Sequence, residues 1–303
     1  MMTMRAETHR PVERHVFHAM GTSVALITPT EGVEPKDIRR AALLVEREFA
    51  QQEQRFSRFR TNSELSEANR TEARPTRVSG LFAALVERAL QAAVETDGLF
   101  DPTVLPAMVA AGYDRSFEDI IVTAREVLRP SAPTGRWREI DLDGDRLTLP
   151  DGVGLDLGGI AKGWTADRAG TAVSALVPWG IVDAGGDISA VGELPDDGVE
   201  IGVEHPFDAR IEVLRLSLTH GALATSSTVR RSWGPNLHHL IDPRTGRPAA
   251  TDVVQATVWA SSCADAEVQA KVALLRGTGA LSDLAATLVL EDGTVVTSMQ
   301  AVA

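Results

Sequence analysis

The chain has 303 residues, of which 44% are hydrophobic and 24% are charged. This composition is typical of a globular protein with enough apolar side chains for a sizeable core. The formal net charge is −12 at pH 7. That charge, with no cluster of Lys and Arg in the sequence, argues against a nucleic-acid-binding protein.

The N-terminus and the cysteine content bear on location. The first ten residues contain no apolar core and no cleavage-type run, so they do not have the pattern of a signal peptide. The single cysteine, Cys263, cannot form an internal disulfide and lies too late to be a lipoprotein cysteine. No stretch approaches the ~20 apolar residues of a membrane span. We therefore expect a cytoplasmic protein without a membrane span, with residues 1–12 as a flexible tail.

The N-terminal third predicts strands and then helices. Residues 14–28 are expected to form a strand pair broken at Met20-Gly21. A long helix is predicted after Pro35, and residues 55–70 have the polar composition of a loop. The apolar stripe of that helix consists of Ile38, Ala41, Ala42, Val45 and Phe49.

The middle of the chain predicts a second helix and a hairpin. Ser79 is expected to cap the helix, which ends at Asp97-Gly98. Residues 136–149 are expected to form a hairpin that turns at Asp143-Gly144. Leu155–Leu157 is read as a strand that runs through two glycines into a helix over residues 160–176.

The C-terminal half is rich in predicted strands, with one helix expected over residues 264–276. Helices and strands do not alternate strictly along the chain, which favours an α+β fold over a doubly wound sheet. We expect a single domain of mixed sheets flanked by helices over residues 1–303. The strand segments are 181–191, 200–203, 211–218, 253–260 and the hairpin 287–297.

The run Leu155 to Gly163 is the first candidate for chemistry. Glycines at a strand–helix junction let backbone N–H groups approach a phosphate, and Lys162 adds a positive charge. The run is neither a Walker loop nor a dinucleotide fingerprint. An ordinary tight turn with a surface lysine explains it about equally well.

The second candidate is the run from His238 to Pro248. A histidine beside a carboxylate can serve as a general base, which singles out His239 and Asp242. Taken alone, a capped turn with two surface histidines is the more common explanation. His238 and His239 are adjacent, so in a strand they would face opposite sides and could not easily share a metal ion.

The third candidate is the start of the helix over residues 264–276. Asp265 and Gln269 are four residues apart and share a face of that helix. Two oxygen donors on one face suit magnesium. Taken alone, an acidic residue favoured by the helix dipole, with a solvated glutamine one turn later, is clearly the better explanation.

Taken together and in order, these segments resemble the ApbE family of FAD:protein FMN transferases over residues 18–275. The set is specific although none of its members is. The matching segments are Met20-Gly21-Thr22, Phe56-Ser57-x-Phe59-Arg60 with Ser63-Glu64 and Asn69, Gly98-x-Phe100-Asp101-Pro102-Thr103, Leu155 to Gly163, Asp183-Ala184-Gly185-Gly186-Asp187, Ala224-Thr225-Ser226, His239-x-Ile241-Asp242-Pro243-x-Thr245-Gly246 and Ala264-Asp265-Ala266.

The resemblance implies an enzyme that splits the pyrophosphate of FAD, joins FMN to a Thr or Ser hydroxyl of an acceptor protein, and releases AMP. It implies Mg²⁺ as cofactor, held by Gly159, Asp265 and Gln269. It makes His239 the catalytic base, and we infer that Asp242 orients its turn. The residues expected to contact FAD are Met20, Phe59, Leu99, Phe100, Asp101, Asp156, Lys162 and Ile241.

The chain departs from the family pattern at three positions. Gln269 stands where the family has Thr, and Phe59 where it has Tyr. Thr225-Ser226-Ser227 replaces a Thr-Ser-Gly triplet, which removes a glycine. Two other functions remain open from the sequence: a FAD pyrophosphatase that yields FMN and AMP, and a non-catalytic flavin-binding protein.

Overall fold

The computed structural model describes residues 5–8, 10–71, 73–121 and 131–299. Within this part of the chain, no helix combines the length and the apolar character required to cross a membrane. Its α-helices are α1 (Pro35–Phe56), α2 (Glu64–Ala68), α3 (Gly80–Glu95), α4 (Leu105–Ala110), α5 (Ala161–Val173) and α6 (Cys263–Arg276).

Short and medium strands make up the rest of the regular structure. The strands before α5 are β1 (Arg5–Glu7), β2 (Val12–Ala19), β3 (Thr22–Pro29), β4 (Thr76–Arg77), β5 (Asp141–Asp143) and β6 (Arg146–Thr148). Those after α5 are β7 (Trp179–Ala184), β8 (Asp187–Gly192), β9 (Val199–Glu204), β10 (Glu212–Leu218), β11 (Ala222–Ser227), β12 (Ser232–Gly234), β13 (Leu237–His238), β14 (Ile241–Asp242), β15 (Arg247–Pro248), β16 (Val253–Ala260), β17 (Ala286–Leu290) and β18 (Val295–Thr297).

The chain divides into two compact units, each built from separate segments. Unit 1 comprises Met1–Gln52, Lys162–Arg230 and Asp252–Ala303, and unit 2 comprises Glu53–Ala161 and Arg231–Thr251. The single domain expected over residues 1–303 stays a prediction.

Unit 1 is organised around an eight-stranded sheet in the order β18-β17-β16-β11-β8-β7-β3-β2. Every neighbouring pair in it is antiparallel. Helix α6 packs against β16 and β11. An antiparallel sheet with helices laid on it is an α+β arrangement, so the predicted fold class is confirmed.

A second sheet in unit 1 has the order β1-β9-β10. It shares an apolar core with the large sheet, in which Ile181, Ile188, Ile201 and Leu223 are each fully buried. Arg5–Glu7 lie within the expected flexible tail but form β1, because β9 offers backbone groups that they pair with. Residues 1–4 and 9 of that tail lie outside the described residues.

Unit 2 contains helices α2, α3 and α4 together with three small sheets. Their orders are β4-β6-β5, β12-β13 and β14-β15. One of its apolar clusters joins Met108 and Tyr113 to Trp233, Leu237 and Ile241. The apolar groups on which helix packing depends are therefore supplied by segments far apart in sequence.

Most predicted elements are present, with three corrections. Residues 55–70 are not all loop, since Ser63 caps the short helix α2 by accepting from Ser66 N. Residues 136–139 form a 3₁₀ turn, so the hairpin is limited to β5 and β6. Leu155–Leu157 is not a strand, because the amide of Asn69 takes the place of a strand partner on both backbone groups of Leu155.

Candidate functional site

The predicted site residues divide between the two units. Unit 1 contains Met20, Lys162, Asp265 and Gln269. Unit 2 contains the others, which are Phe59, Leu99, Phe100, Asp101, Asp156, Gly159, His239, Ile241 and Asp242.

Met20 occupies the tight turn between β2 and β3. Its φ is 52° and that of Gly21 is 67°, the combination that a two-residue hairpin turn favours. A residue other than glycine is strained at positive φ, and such backbone strain is concentrated at functional sites. The turn holds the half-buried Met20 side chain in a fixed place at the end of the hairpin.

Asp265 and Gln269 lie one turn apart on helix α6. Both are half-buried, while the residues between them are buried. A carboxylate and an amide oxygen are donors that magnesium accepts, and magnesium usually keeps several waters and substrate oxygens as well. No group of three His, Cys, Asp or Glu side chains in the described ranges could hold a metal. The oxygen donors of Asp265 and Gln269 are of the kind that Mg²⁺ prefers, and a bound ion would need water or substrate oxygens as further ligands.

Lys162 lies in a buried network of alternating charges. Its Nζ is 2.6 Å from Oδ2 of Asp187 and also contacts Oε1 of Glu267. Lys271 Nζ is 3.3 Å from the same Glu267 oxygen, and Gly163 N donates to the other one at 2.9 Å. The network thus matches two lysines with two carboxylates, which provides the pairing that buried charged groups need.

This network also sets the protonation of its members. Burial alone would lower the pKa of Lys162, but the charges of Asp187 and Glu267 outweigh it and raise that pKa. Burial alone would raise the pKa of Glu267, but Lys162 and Lys271 lower it to about 2. Lys162 and Glu267 are therefore an ion pair at neutral pH.

In unit 2, Asp156 is held by an arginine inside an aromatic cluster. Arg58 Nε is 2.9 Å from Oδ2 of Asp156, and Oδ1 accepts from Gly158 N at 2.9 Å. The guanidinium carbon of Arg58 lies 4.3 Å from the ring centroids of both Phe59 and Tyr113. These contacts fix the turn after Asp156. The guanidinium also packs against one face of the Phe59 ring, and this residue is 42% exposed.

Asp101 anchors a loop of unit 2. Its Oδ1 accepts from Thr103 N at 2.8 Å and from the Thr103 hydroxyl at 2.6 Å, and its Oδ2 accepts from Gly135 N at 2.6 Å. The next helix along the chain is α4, which begins at Leu105. Neighbouring Phe100 is buried and Leu99 is half-buried.

The two adjacent histidines differ in their surroundings. His238 is buried, with Nε2 3.0 Å from the carbonyl of Ala249 and Nδ1 accepting from Leu240 N at 3.3 Å. Burial lowers its pKa, so it is a neutral structural residue rather than the surface histidine that the simpler explanation assumed. His239 is half-buried, between β13 and β14, and its backbone N donates to Arg231 O at 3.3 Å.

Asp242 holds the turn that joins β14 to β15. Its Oδ1 accepts from Arg244 N at 2.9 Å, and its carboxylate is paired with the guanidinium of the same arginine at 2.8 Å. Gly246 N donates to the carbonyl of Asp242 at 2.9 Å. Partial burial alone would raise the pKa of Asp242, but the hydrogen bonds and charge of Arg244 lower it. The Asp242 carboxylate is therefore ionised, and its hydrogen bonds hold the turn that follows His239 in the sequence.

A sequence profile of the ApbE family matches residues 20–292, nearly the whole chain. The chain belongs to the ApbE family. It is 33% identical to the FAD:protein FMN transferase of Vibrio cholerae over 70% of the chain and 66% of that relative. It is 30% identical to the FAD:protein FMN transferase of Treponema pallidum over 75% of the chain and 68% of that relative. The matches thus span about two thirds of these two proteins.

A solved structure supports the same relation. The fold is similar to that of the ApbE protein from Thermotoga maritima, with a TM-score of 0.83 and 27% identity. The comparison covers 95% of this chain and 97% of that one. The mixed helices and sheets of the present chain are therefore those of an ApbE structure.

Sequence reasoning about this ApbE chain assigned no role to four charged residues that hold the predicted ones. Asp187 lies in one of the matching segments, but only the fold brings these residues to their partners. Arg58 fills an unassigned position between two marked residues, and the others stand near, but outside, the assigned positions. The four are Arg58, Asp167, Asp187 and Glu267.

One departure of this ApbE chain from its family pattern has a structural explanation. Ser227, which stands in place of a glycine, lies in β11 and is not among the residues with positive φ. Its hydroxyl donates to Val254 O at 2.9 Å and accepts from Val229 N at 3.2 Å. Glycine's conformational freedom is not needed here, and serine adds two hydrogen bonds.

Proposed function

We propose that the chain transfers the FMN moiety of FAD to a Thr or Ser hydroxyl of an acceptor protein, with release of AMP and with Mg²⁺ as cofactor. The observation that supports this most strongly is the ApbE match over residues 20–292, with relatives named FAD:protein FMN transferase. The candidate base, lysine and metal carboxylate are all present in this chain.

Asp265, Gln269 and the carbonyl of Gly159 are the proposed magnesium ligands. When bound, the ion would neutralise charge on the pyrophosphate and on the transition state for its cleavage. Because glutamine is longer than the family's threonine, its amide must fold back along α6 to share an ion with Asp265. We propose that it does so through its carbonyl oxygen.

The proposed contacts to FAD keep the partners that the fold already provides. Lys162 and Asp156 would contact the substrate while paired with Glu267 and Arg58, respectively. Phe59 would offer the outer face of its ring for stacking. The remaining proposed contacts are Met20, Leu99, Phe100, Asp101 and the backbone of Ile241.

His239 is the proposed general base. It would take the proton from the acceptor hydroxyl as the hydroxyl oxygen bonds to the FMN phosphorus. The bond from that phosphorus to the bridging oxygen breaks, and AMP leaves with that oxygen. An imidazole suits this role because its ordinary pKa is near neutral pH, and Asp242 would orient the turn that follows it.

The test combines Asp265→Asn and His239→Gln with mass spectrometry of an acceptor peptide incubated with FAD and Mg²⁺. Wild type is expected to add one FMN to the peptide, and each variant to slow the addition by at least about a hundredfold. Asp196→Asn and His220→Gln, at exposed positions in unit 1, are the matched controls and should retain the wild-type rate.

The outcome also separates the two competing functions. Free FMN and AMP with an unmodified peptide would identify a pyrophosphatase. Tight FAD binding without cleavage at any Mg²⁺ concentration would identify a flavin-binding protein. The acceptor protein as partner and the cytoplasmic location remain proposals, and exclusion of nucleic acid remains a prediction from composition.

A further inference from the structure

Helix α6 starts with its first backbone N–H groups bound by side chains from two different elements. Ser262, just before the helix, accepts from Asp265 N at 3.2 Å. The carboxylate of Asp167 accepts from Cys263 N at 2.9 Å through Oδ1 and from Ala264 N at 3.0 Å through Oδ2. Since the first turn of a helix has no internal partners for these groups, Asp167 completes a cap that Ser262 begins.

Asp167 is itself held firmly. It belongs to helix α5, 96 residues before Cys263, and its Oδ1 also accepts from the Ser189 hydroxyl on β8 at 2.8 Å. Three donors from two elements therefore bind one half-buried carboxylate of a third. Its position is determined by the fold of unit 1 and not by its own flexible bonds.

Helices α5 and α6 also meet at a second point beside this carboxylate. A Cβ on Gly163 would lie 2.3 Å from the carbonyl oxygen of Cys263, so the two backbones are in direct contact there. Gly163 and Asp167 are four residues apart, on the same face of α5. The first turn of α6 is thus fixed to α5 by backbone contact at one residue and by two hydrogen bonds at the other.

We propose that Asp167 is a positioning residue for Asp265 and, through it, for the bound Mg²⁺. Asp265 is the third residue of α6, so the direction of its carboxylate follows from the placement of that first turn. The inference rests on the proposed function, because it takes Asp265 as a metal ligand.

An asparagine at position 167 has nearly the same size as the aspartate but would disturb these hydrogen bonds. The two amide donors bind different oxygens of Asp167, and asparagine offers only one. Its NH₂ group would have to face the N–H of Cys263 or of Ala264, leaving one of them without an acceptor. The first turn of α6 should then loosen while the rest of the helix stays packed on the sheet.

The experiment uses full-length Asp167→Asn, with Asp196→Asn as the control for loss of charge. Mg²⁺ affinity is measured by calorimetry with FAD present and acceptor absent, and amide hydrogen exchange of residues 263–266 is followed by mass spectrometry. We expect Asp167→Asn to weaken Mg²⁺ binding about tenfold, to speed exchange in that segment, and to leave FAD affinity in EDTA unchanged. Faster exchange with wild-type Mg²⁺ affinity would make Asp167 merely structural and overturn the inference.

A milder variant keeps the test decisive if Asp167→Asn does not fold. Ser189→Ala removes one of the three donors and keeps both backbone bonds, so Mg²⁺ binding should weaken, but by less than the about tenfold expected for Asp167→Asn. An unchanged Mg²⁺ affinity in that variant would contradict the inference. If wild type itself binds no Mg²⁺ with FAD, the proposed function fails and this inference fails with it. If wild type binds the ion and the variants bind it equally well, only this inference fails.

Discussion

At the scale of single residues, the backbone of Met20 carries a cost that its side chain must offset. Its φ of 52° is one that glycine adopts without strain. Glycine would be the stabilising choice for this turn, so the presence of methionine favours a role for the side chain in binding.

We expect Met20→Gly to raise the free energy of unfolding by about 0.5–1 kcal/mol and to weaken FAD binding about tenfold through lost apolar contact. Urea denaturation and FAD titration measure the two effects. Asn236→Gly, at another positive φ of 55°, should leave FAD affinity unchanged. A destabilised Met20→Gly protein with normal FAD affinity would contradict this explanation.

Asp183 makes the stability of the protein depend on pH. Burial raises its pKa to about 6, although the Gly186 N–H donates to it and the charge of Arg14 opposes the shift. A carboxyl whose pKa is raised on folding stabilises the protein fully below its unfolded pKa, and this stabilisation is lost as pH rises through the folded value. The carboxyl of Asp183 therefore costs stability above about pH 6.

Asp183→Asn should remove this cost. Asn retains an oxygen for the 2.9 Å bond from Gly186 N, so the variant is expected to be more stable than wild type at pH 8, by at most roughly 3 kcal/mol. The difference should vanish near pH 4. Urea unfolding at pH 4, 6 and 8 checks it, with Asp196→Asn as the control. A stability difference that does not change with pH would show that the Asp183 charge is not responsible.

At the scale of elements, side chains replace backbone partners where regular structure stops. Asn69 donates to Leu155 O at 2.9 Å and accepts from Leu155 N at 2.7 Å. Leu155 is fully buried, so its backbone groups have no water to bind. One asparagine thereby holds the segment that leads to Asp156.

Asn69→Ala should lower the free energy of unfolding by about 2–4 kcal/mol, because two buried backbone groups lose their partners. Chemical denaturation measures the loss. Gln91→Ala, which removes an exposed amide that donates to the Glu95 side chain, should change stability by less than about 0.5 kcal/mol. A loss at Asn69 no larger than the control's would show that Leu155 finds other partners.

The contact between α5 and α6 gives a prediction opposite to helix propensity. Gly163 and Gly80 both lie in helices, where alanine is ordinarily favoured by about 1 kcal/mol. A Cβ meets no atom within 4 Å at Gly80 but would strike the Cys263 carbonyl at Gly163.

Gly80→Ala is therefore expected to raise the thermal unfolding temperature slightly. Gly163→Ala should lower it by several degrees, since overpacking costs about 1–3 kcal/mol. Differential scanning calorimetry of both variants checks this. Stabilisation by both changes would mean that the helices separate easily at this point.

The sequence predicted the elements that local patterns determine. The stripe from Ile38 to Phe49 is buried as expected in α1, and Ser79 caps α3 with a 3.3 Å bond to Phe82 N. The prediction of a strand over Leu155–Leu157 was wrong. Alternating apolar residues do not reveal whether the backbone bonds to a neighbouring strand or, as here, to an asparagine side chain. The roles of Arg58 and Asp167 were not predicted, because their partners lie far away in the sequence.

At the scale of the whole molecule, the order of the strands along the chain does not indicate which strands pair in the sheet. In the eight-stranded sheet β3 lies beside β7, and β8 beside β11, so long segments separate strands that pair. Each of the two units is likewise assembled from separated segments. Fold class and family could be predicted from the order of motifs, but strand order could not, because cross-strand contacts leave no periodic trace along the chain.

The most direct test of the transferase account is a single reaction in which two products are counted. Full-length protein, FAD, Mg²⁺ and an acceptor peptide with one Thr are incubated, then AMP is quantified by chromatography and the peptide by intact mass. A transferase releases one AMP for each peptide that gains one FMN, and this is the result we expect. AMP in equal amount to free FMN, with the peptide mass unchanged, would contradict it.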